Sequence, residues 1–397
     1  MTPNPWFVLG ALFLARTSLG YQFQSVGSVA PILVEEMGID FTQVGTLIGL
    51  FSALGVLTAL PAGQLGRMFG EKRVVLAGLA MMAAGGFIMG TADGFTMAAV
   101  GRTVVGAGGV VITVSMVKLV GDLFEGPQVI TAMAILMNSW PVGITIGLWT
   151  QGALAEAWGW QAVFLTAGIG SLGGMILVWL LYRPPPRAPR SSGDGGQSVP
   201  DAGRISFREA TLVSVAGVVW TMFNGAFLVV MAFGPALLVS EGTDVVAAGS
   251  VIGIGTFVYM LAIPLGGWLS SRFDRPNTVM LASFALAGIT VATVPFVDAQ
   301  LPLFILAGIF VGVPTGNVMA LTVEMVRKEH RNIGTGLYYT WHYIGLSAVP
   351  AIAGWSVDST GNAAAPMWVG AGCSALAILL LVVVRGLQSR FRGQAAA

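Results

Sequence analysis

The sequence predicts an all-α membrane protein of twelve transmembrane helices, arranged as two pseudo-symmetric six-helix bundles. Three observations predict it. Of 397 residues, 55% are hydrophobic and only 9% are charged, against about 25% charged in a soluble globular chain. So few charges do not cover a water-exposed surface, and lipid is expected to be the solvent for most of it. The apolar residues fall into long continuous runs, not the alternating segments of a membrane barrel. A stretch rich in Pro, Gly and Ser then divides these runs six and six.

The runs cover residues 6–31, 43–65, 74–92, 95–117, 129–150, 160–182, 211–233, 246–270, 278–296, 301–323, 333–354 and 365–384. A hydrocarbon crossing needs about 20 apolar residues, so each run is long enough for one helix. The first lacks a basic leader and is too long for a cleavable signal, so it is expected to be a span. Many of the 55 glycines lie inside these runs. Small residues let helices pack closely in a bilayer, where apolar burial alone does not drive association.

The charges set an expected orientation. With the N-terminus inside, Arg67, Lys72, Arg73, Lys118, Arg183, Arg187, Arg190, Arg204, Arg208, Arg272, Arg275, Arg327, Lys328, Arg331, Arg385, Arg390 and Arg392 all fall on the cytoplasmic side. That is 17 of the 19 basic residues, and no outside loop receives one. Cytoplasmic loops carry the Lys and Arg excess. The expectation is a multi-pass protein of the bacterial cytoplasmic (inner) membrane with both termini cytoplasmic. Domain limits follow: residues 1–182 as one bundle, 183–208 as a cytoplasmic linker, and 209–397 as the second bundle. The linker contains Pro184, Pro185, Pro186 and Pro189, then Ser191, Ser192, Gly193, Gly195 and Gly196, with no apolar periodicity.

The halves echo each other. The second run ends Leu60-Pro61-Ala62-Gly63 and soon reaches Phe69; the eighth ends Ile263-Pro264-Leu265-Gly266 and soon reaches Phe273. Repeated halves are a mark of secondary transporters. Three local patterns add a family resemblance. The loop Gly63-Gln64-Leu65-Gly66-Arg67-Met68-Phe69-Gly70-Glu71-Lys72-Arg73, the run Arg102-Thr103-Val104-Val105-Gly106-Ala107-Gly108, and Trp158-Gly159-Trp160-Gln161-Ala162-Val163-Phe164 resemble motifs of the major facilitator superfamily. The resemblance spans nearly the whole chain and implies the major facilitator fold and solute transport. Within the superfamily the similarity is to cyanate- and nitrate-type anion carriers. It also implies a gating loop built on Gly63, Arg67, Gly70, Lys72 and Arg73. Arg67 departs from the motif, which has Asp there, so the usual gating salt bridge of this loop is not implied.

Two charges lie inside spans. Arg16 sits near the middle of the first and Arg102 in the outer half of the fourth. A guanidinium at mid-bilayer costs about 2.5–3.5 kcal/mol on insertion scales and calls for a compensating partner. All 18 carboxylates fall in or beside loops, so none is placed to pair with them. A bound anion would supply the missing charge, and a guanidinium fork suits carboxylates and other oxyanions. The resemblance implies that the first and fourth helices line a central cavity. The competing reading is structural, each arginine tying helices together through backbone carbonyls.

Further candidates for the substrate site are Tyr21 and Gln24 on the first run, Asn138 on the fifth and Asn224 on the seventh. Asn317 follows Pro314 on the tenth, and Tyr338 and His342 lie on the eleventh. His342 is the one side chain in a span whose ordinary titration lies near neutral pH. It is either a proton relay or a packed, hydrogen-bonded residue. Trp140, near Pro141, is an additional lining candidate.

Several classes are excluded. No phosphate loop ending in Lys and Ser/Thr is encoded, nor a His–Glu metal pattern or a nucleophile elbow. The single cysteine, Cys373, lies in an apolar run, so neither a disulfide framework nor a thiol metal site is expected. The chain is thus expected to be neither an enzyme nor a cofactor- or metal-binding protein, with no nucleic-acid partner. Its expected partners are the bilayer and a small anionic solute, an organic acid or inorganic oxyanion, with coupling to protons left open and a monomeric state. The alternative is an efflux antiporter for drugs or metabolites; against it stands the lack of an acid in any span to attract a cation. A sensor on a transporter fold is a third class, disfavoured by the lack of a sizeable soluble domain.

Overall fold

A computed structural model describes residues 4–57, 66, 68–126, 128–183 and 205–396. The expected gating residues Gly63 and Arg67, and the linker from 184 to 204, lie outside the described residues. The helices of the first half are α1 (Pro5–Ser28), α2 (Ala30–Met37), α3 (Phe41–Ala53), α4 (Glu71–Gly90), α5 (Phe95–Leu123), α6 (Gln128–Trp158) and α7 (Trp160–Leu181). Those of the second are α8 (Phe207–Ser240), α9 (Val245–Phe273), α10 (Pro276–Thr293), α11 (Gln300–Gly312), α12 (Thr315–Glu324), α13 (Arg331–Thr360) and α14 (Ala365–Ala396).

These elements account for the twelve expected crossings, with breaks among the described residues in the first, the second, where α3 stops at a turn at Leu54, and the tenth. The first run is interrupted at Val29, so α1 and α2 together replace one helix. Pro31 follows at once and has no N–H to continue the ladder. The tenth run is interrupted at Val313–Pro314 between α11 and α12. Nine helices among the described residues are long and apolar enough to cross a bilayer. The longer helices that miss this measure, α1 and α13, are those carrying Arg16 with Gln22 and Gln24, and Tyr338, Tyr339 and His342. Their low hydropathy reflects polar residues turned inward. Apolar side chains such as Leu14, Trp179, Ile289 and Leu379 are exposed on the outer surface, where hydrocarbon would cover them.

Packing repeats between the halves. In the first, α4 packs on α5 and α7, and α1 on α6 and α7. In the second, α10 packs on α11 and α14, and α8 on α13 and α14. Where α3 meets α5 in one half, α9 meets α11 in the other. Glycines carry the close approaches: a methyl group on Gly78, Gly85 or Gly108 would press into the facing helix across the α4–α5 contact. The same device appears in the second half, where Gly255 and Gly308 bring α9 against α11.

Three seams join the halves: α3 with α13, α6 with α9, and α1 with α8. The first two exchange under the pseudo-twofold relation, because α3 corresponds to α9 and α6 to α13. In the α3–α13 seam a methyl on Gly45 would strike the Pro350 carbonyl, and one on Gly354 the Phe41 carbonyl. The seam ends in a capping contact across the halves. Asp358 Oδ1 accepts from Phe41 N at 3.1 Å, and its Oδ2 accepts from Thr42 N at 2.7 Å and Thr42 Oγ1 at 2.5 Å. The first N–H groups of α3 have no partner within their own helix, and a carboxylate there also meets the positive helix end. Asp40 caps the same helix from within, accepting from Gln43 N at 2.7 Å.

Asp358→Ala is expected to destabilise this seam by about 0.5–2 kcal/mol, the range for losing a helix cap. It should read as a lowered thermal-unfolding midpoint of the purified protein, with Asp358→Asn retaining part of the loss. An unchanged midpoint would mean that Asp40 and the glycine packing hold the seam alone.

Candidate functional site

A cavity of about 260 Å³ lies between the halves. Its walls are helical stripes, one per helix. From the first half come Arg16, Leu19 and Phe23 of α1, Phe51 and Ser52 of α3, Gly106, Gly109 and Thr113 of α5, and Trp140, Pro141 and Ile144 of α6. From the second come Trp220, Asn224, Phe227 and Met231 of α8, Thr256 and Tyr259 of α9, Thr315 and Met319 of α12, and Tyr339, His342, Tyr343 and Leu346 of α13. The spacings of three, four and seven mark one face of each helix. Helices α4, α7, α10 and α14 contribute nothing to the lining. The tight contacts between halves sit to one side of this cavity, toward the end that carries Asp358.

Arg16 is the one Arg or Lys among the described lining residues, and no carboxylate joins it. Its position is built by the packing of α1 on α6. A methyl on Gly20 would strike the Trp140 carbonyl, and one on Gly143 the Thr17 carbonyl, so the two backbones touch. Pro141 lies inside α6 and has no N–H for the Met137 carbonyl four residues back. The Arg16 Nη1 occupies that opening, donating to Leu136 O at 2.8 Å, Met137 O at 3.3 Å and Ser139 Oγ at 3.1 Å. The Nε atom is buried without a partner. One nitrogen of the fork is therefore held by α6 while the rest of the guanidinium is left for another acceptor.

Asn224 and His342 also line the cavity. The His342 ring lies parallel to Trp220 with centroids 3.5 Å apart, and its Nδ1 is buried without a hydrogen bond. Trp220 is also parallel to Tyr338 at 4.9 Å and edge-on to Tyr339 at 5.0 Å.

The other expected site residues lie elsewhere. Arg102 is fully buried outside the lining. Its Nε donates to Leu47 O at 3.0 Å, its Nη1 to Gln22 O at 2.7 Å and its Nη2 to Phe23 O at 3.2 Å. The guanidinium carbon stands 4.8 Å from the Phe51 ring centre. Arg102 thus ties α5 to α1 and α3, and the expected joint site with Arg16 is not formed: its Nε, Nη1 and Nη2 each donate to a backbone carbonyl, and Phe51, which it stacks on, is in the lining while Arg102 is not. Gln24 donates to Met231 O at 2.9 Å, joining the halves. Tyr21 contributes its backbone carbonyl to Gln151 Nε2 at 2.8 Å. Asn138 is exposed and bonded to Ala134 O of its own helix at 3.0 Å. Asn317 donates to Ser270 Oγ at 2.7 Å. Tyr338 is fully buried, its hydroxyl on Val318 O at 2.6 Å. None of these five is in the lining.

Of the expected gating residues that are described, Gly70 adopts a positive φ of 88° before α4. Lys72 donates to Trp179 O and Tyr182 O at the end of α7, where the helix dipole favours a cation. Arg73 is exposed. Glu71 pairs with Lys118 of α5. These contacts stay within the first half.

Two pseudo-symmetric bundles around one central cavity, with a single Arg among its described lining residues, are the architecture of a membrane transporter. Family comparison agrees: the family model described as Major Facilitator Superfamily matches residues 12–244 and 216–396. The chain belongs to the major facilitator superfamily, and it is a transporter rather than an enzyme. It is 25% identical over 367 residues to the 3-(3-hydroxy-phenyl)propionate transporter of Escherichia coli (strain K12), covering 87% of this chain and 85% of that protein. It is 24% identical over 420 residues to a probable galactarate/D-glucarate transporter of Bacillus subtilis (strain 168), covering 96% and 91%. Among solved structures, a bacterial homologue of the human lysosomal transporter Spinster, inward-facing and occupied, superposes with a TM-score of 0.76 at 16% identity, covering 98% and 96%.

The two arginines should separate experimentally. Arg102→Ala removes three buried hydrogen bonds from a charged donor, each worth about 1.5–3 kcal/mol. Loss of folded protein or a strongly lowered unfolding midpoint is expected, with or without ligand. A variant as stable as wild type but impaired in ligand binding would return Arg102 to the binding site.

Proposed function

We propose that this chain carries a small organic carboxylate across the bacterial inner membrane by alternating access, with Arg16 as the anion-binding group. One observation carries the reading: a single guanidinium faces the central cavity, partly anchored by α6 and unmatched by any carboxylate among the described residues. The names of the two relatives support it, since both refer to organic acids. They favour an organic acid over the inorganic oxyanions also considered from sequence. An efflux antiporter for apolar cations fits less well, because Arg16 would repel the cargo.

The same reading includes the orientation and division of the chain. Both termini are cytoplasmic, residues 183–208 connect the halves on that side, and bundles 1–182 and 209–397 rock about the cavity as a monomeric unit. The close contacts at the Asp358 end then close the outer face. His342 is the lining group suited to take a proton in symport, or the substrate carries the proton itself.

Binding by purified Arg16 variants tests the anion reading. Losing one partner of a buried charged contact costs about 2–5 kcal/mol, at least tenfold in affinity. Arg16→Ala should abolish measurable carboxylate binding, and Arg16→Lys should restore it only in part, because a lysine keeps the charge and loses the fork. Wild-type affinity in Arg16→Ala, or a cationic substrate, would overturn the proposal.

Labelling tests the orientation. In a Cys373→Ala background, Asn362→Cys should react with an impermeant thiol reagent in intact cells, and Ser389→Cys only after lysis. The reverse pattern would invert the topology.

A further inference from the structure

The relatives leave two quite different carboxylates open, an aryl acid and a polyhydroxylated sugar diacid, and the cavity walls distinguish them. A sugar acid brings a hydroxyl on almost every carbon, and each needs a partner once it leaves water. The three threonines of the walls do not supply one. The hydroxyls of Thr113, Thr256 and Thr315 donate to carbonyls of their own helices, at 2.8, 3.0 and 2.9 Å. A diacid also needs a second cation, and Arg16 is the one Arg or Lys among the described lining residues.

The walls are instead aromatic, in two banks from opposite halves. In the first half, Phe23 meets Phe51 edge-on at 5.2 Å and lies tilted against Trp140 at 5.2 Å. In the second, Phe227 lies against Tyr259 at 4.7 Å. Aromatic rings prefer offset-stacked or edge-to-face contact with other aromatic rings, and gain beyond the area they bury. A saturated ring of equal size gains the burial alone.

We infer that the substrate is a single-ring aryl monocarboxylate, its carboxylate on Arg16 and its ring received by the Phe23–Trp140 and Phe227–Tyr259 banks. The inference rests on the reading of Arg16 as the anion-binding group and adds the chemistry of the rest of the molecule. A flat ring with one charged end also matches a cavity with one cationic point and aromatic residues on both sides.

The test measures binding of four probes to the purified full-length protein: 3-phenylpropionate, 3-cyclohexylpropionate, D-glucarate and 3-phenylpropylamine. The expected result is 3-phenylpropionate binding about ten-fold more tightly than its cyclohexyl counterpart, the sum of two ring contacts, with D-glucarate weaker still. Trp140→Leu should narrow the phenyl–cyclohexyl gap while binding stays dependent on Arg16. If that variant does not fold, the wild-type comparison decides alone. Equal affinity for the two ring acids, or tighter binding of D-glucarate, overturns the aryl inference and leaves the carboxylate reading standing, provided Arg16→Ala abolishes that binding. Binding of the amine in preference to all three acids, or of none of the four probes, overturns both.

Discussion

Hydrocarbon offers no hydrogen bonds, so a polar group inside the bilayer must be answered by the protein itself. In this chain that constraint decides where α1 can lie. Pro141 opens a gap in the α6 ladder at the Met137 carbonyl, and Arg16 reaches across from α1 to fill it. The contact needs the two backbones to touch, which Gly20 and Gly143 permit. A proline, two glycines and an arginine, far apart in sequence, thus form one unit that fixes a positive charge at the cavity wall. The carbonyls steady the guanidinium without neutralising it, so the site keeps its preference for an anion.

Arg102 shows the same constraint met in the opposite way. Its fork is distributed over carbonyls of α1 and α3, with Phe51 against its face. Burial of a charge with all three nitrogens bonded within the protein ties the first bundle together and keeps the group out of the cavity lining. Equal residue type and comparable depth therefore produce a binding group in one place and a strut in another. The difference lies in how the acceptors are spread, on Nη1 alone in Arg16 and over Nε, Nη1 and Nη2 in Arg102.

The seams between the halves use the same glycine contacts as the bundle interiors. Gly45 and Gly354 bring backbone against backbone, and Asp358 completes a helix end that belongs to the other half. Such contacts join the halves through close backbone approach and a few directional bonds. Gln24 adds one more directional bond, to the Met231 carbonyl, at the boundary of the cavity.

Much of this was legible in the sequence. The twelve runs of apolar residues, the repeat of the halves and the family motifs determined the fold, because hydrocarbon thickness sets span length and the missing charges leave no other solvent. Arg16, Asn224 and His342 were legible as candidates because polar residues are rare inside spans. Given Asn224, the positions three, four and seven away on α8 also identify Trp220, Phe227 and Met231, a periodicity that the search for polar residues passed over. Only the tertiary structure decided the rest. It sent Tyr338, Asn317 and Gln24 to partners in neighbouring helices and turned Asn138 to the exposed face of α6. The sequence states which groups need partners in a bilayer; which partner each receives depends on helix rotation and close approach, and those are fixed by packing between segments more than a hundred residues apart, as for Arg16 and Leu136.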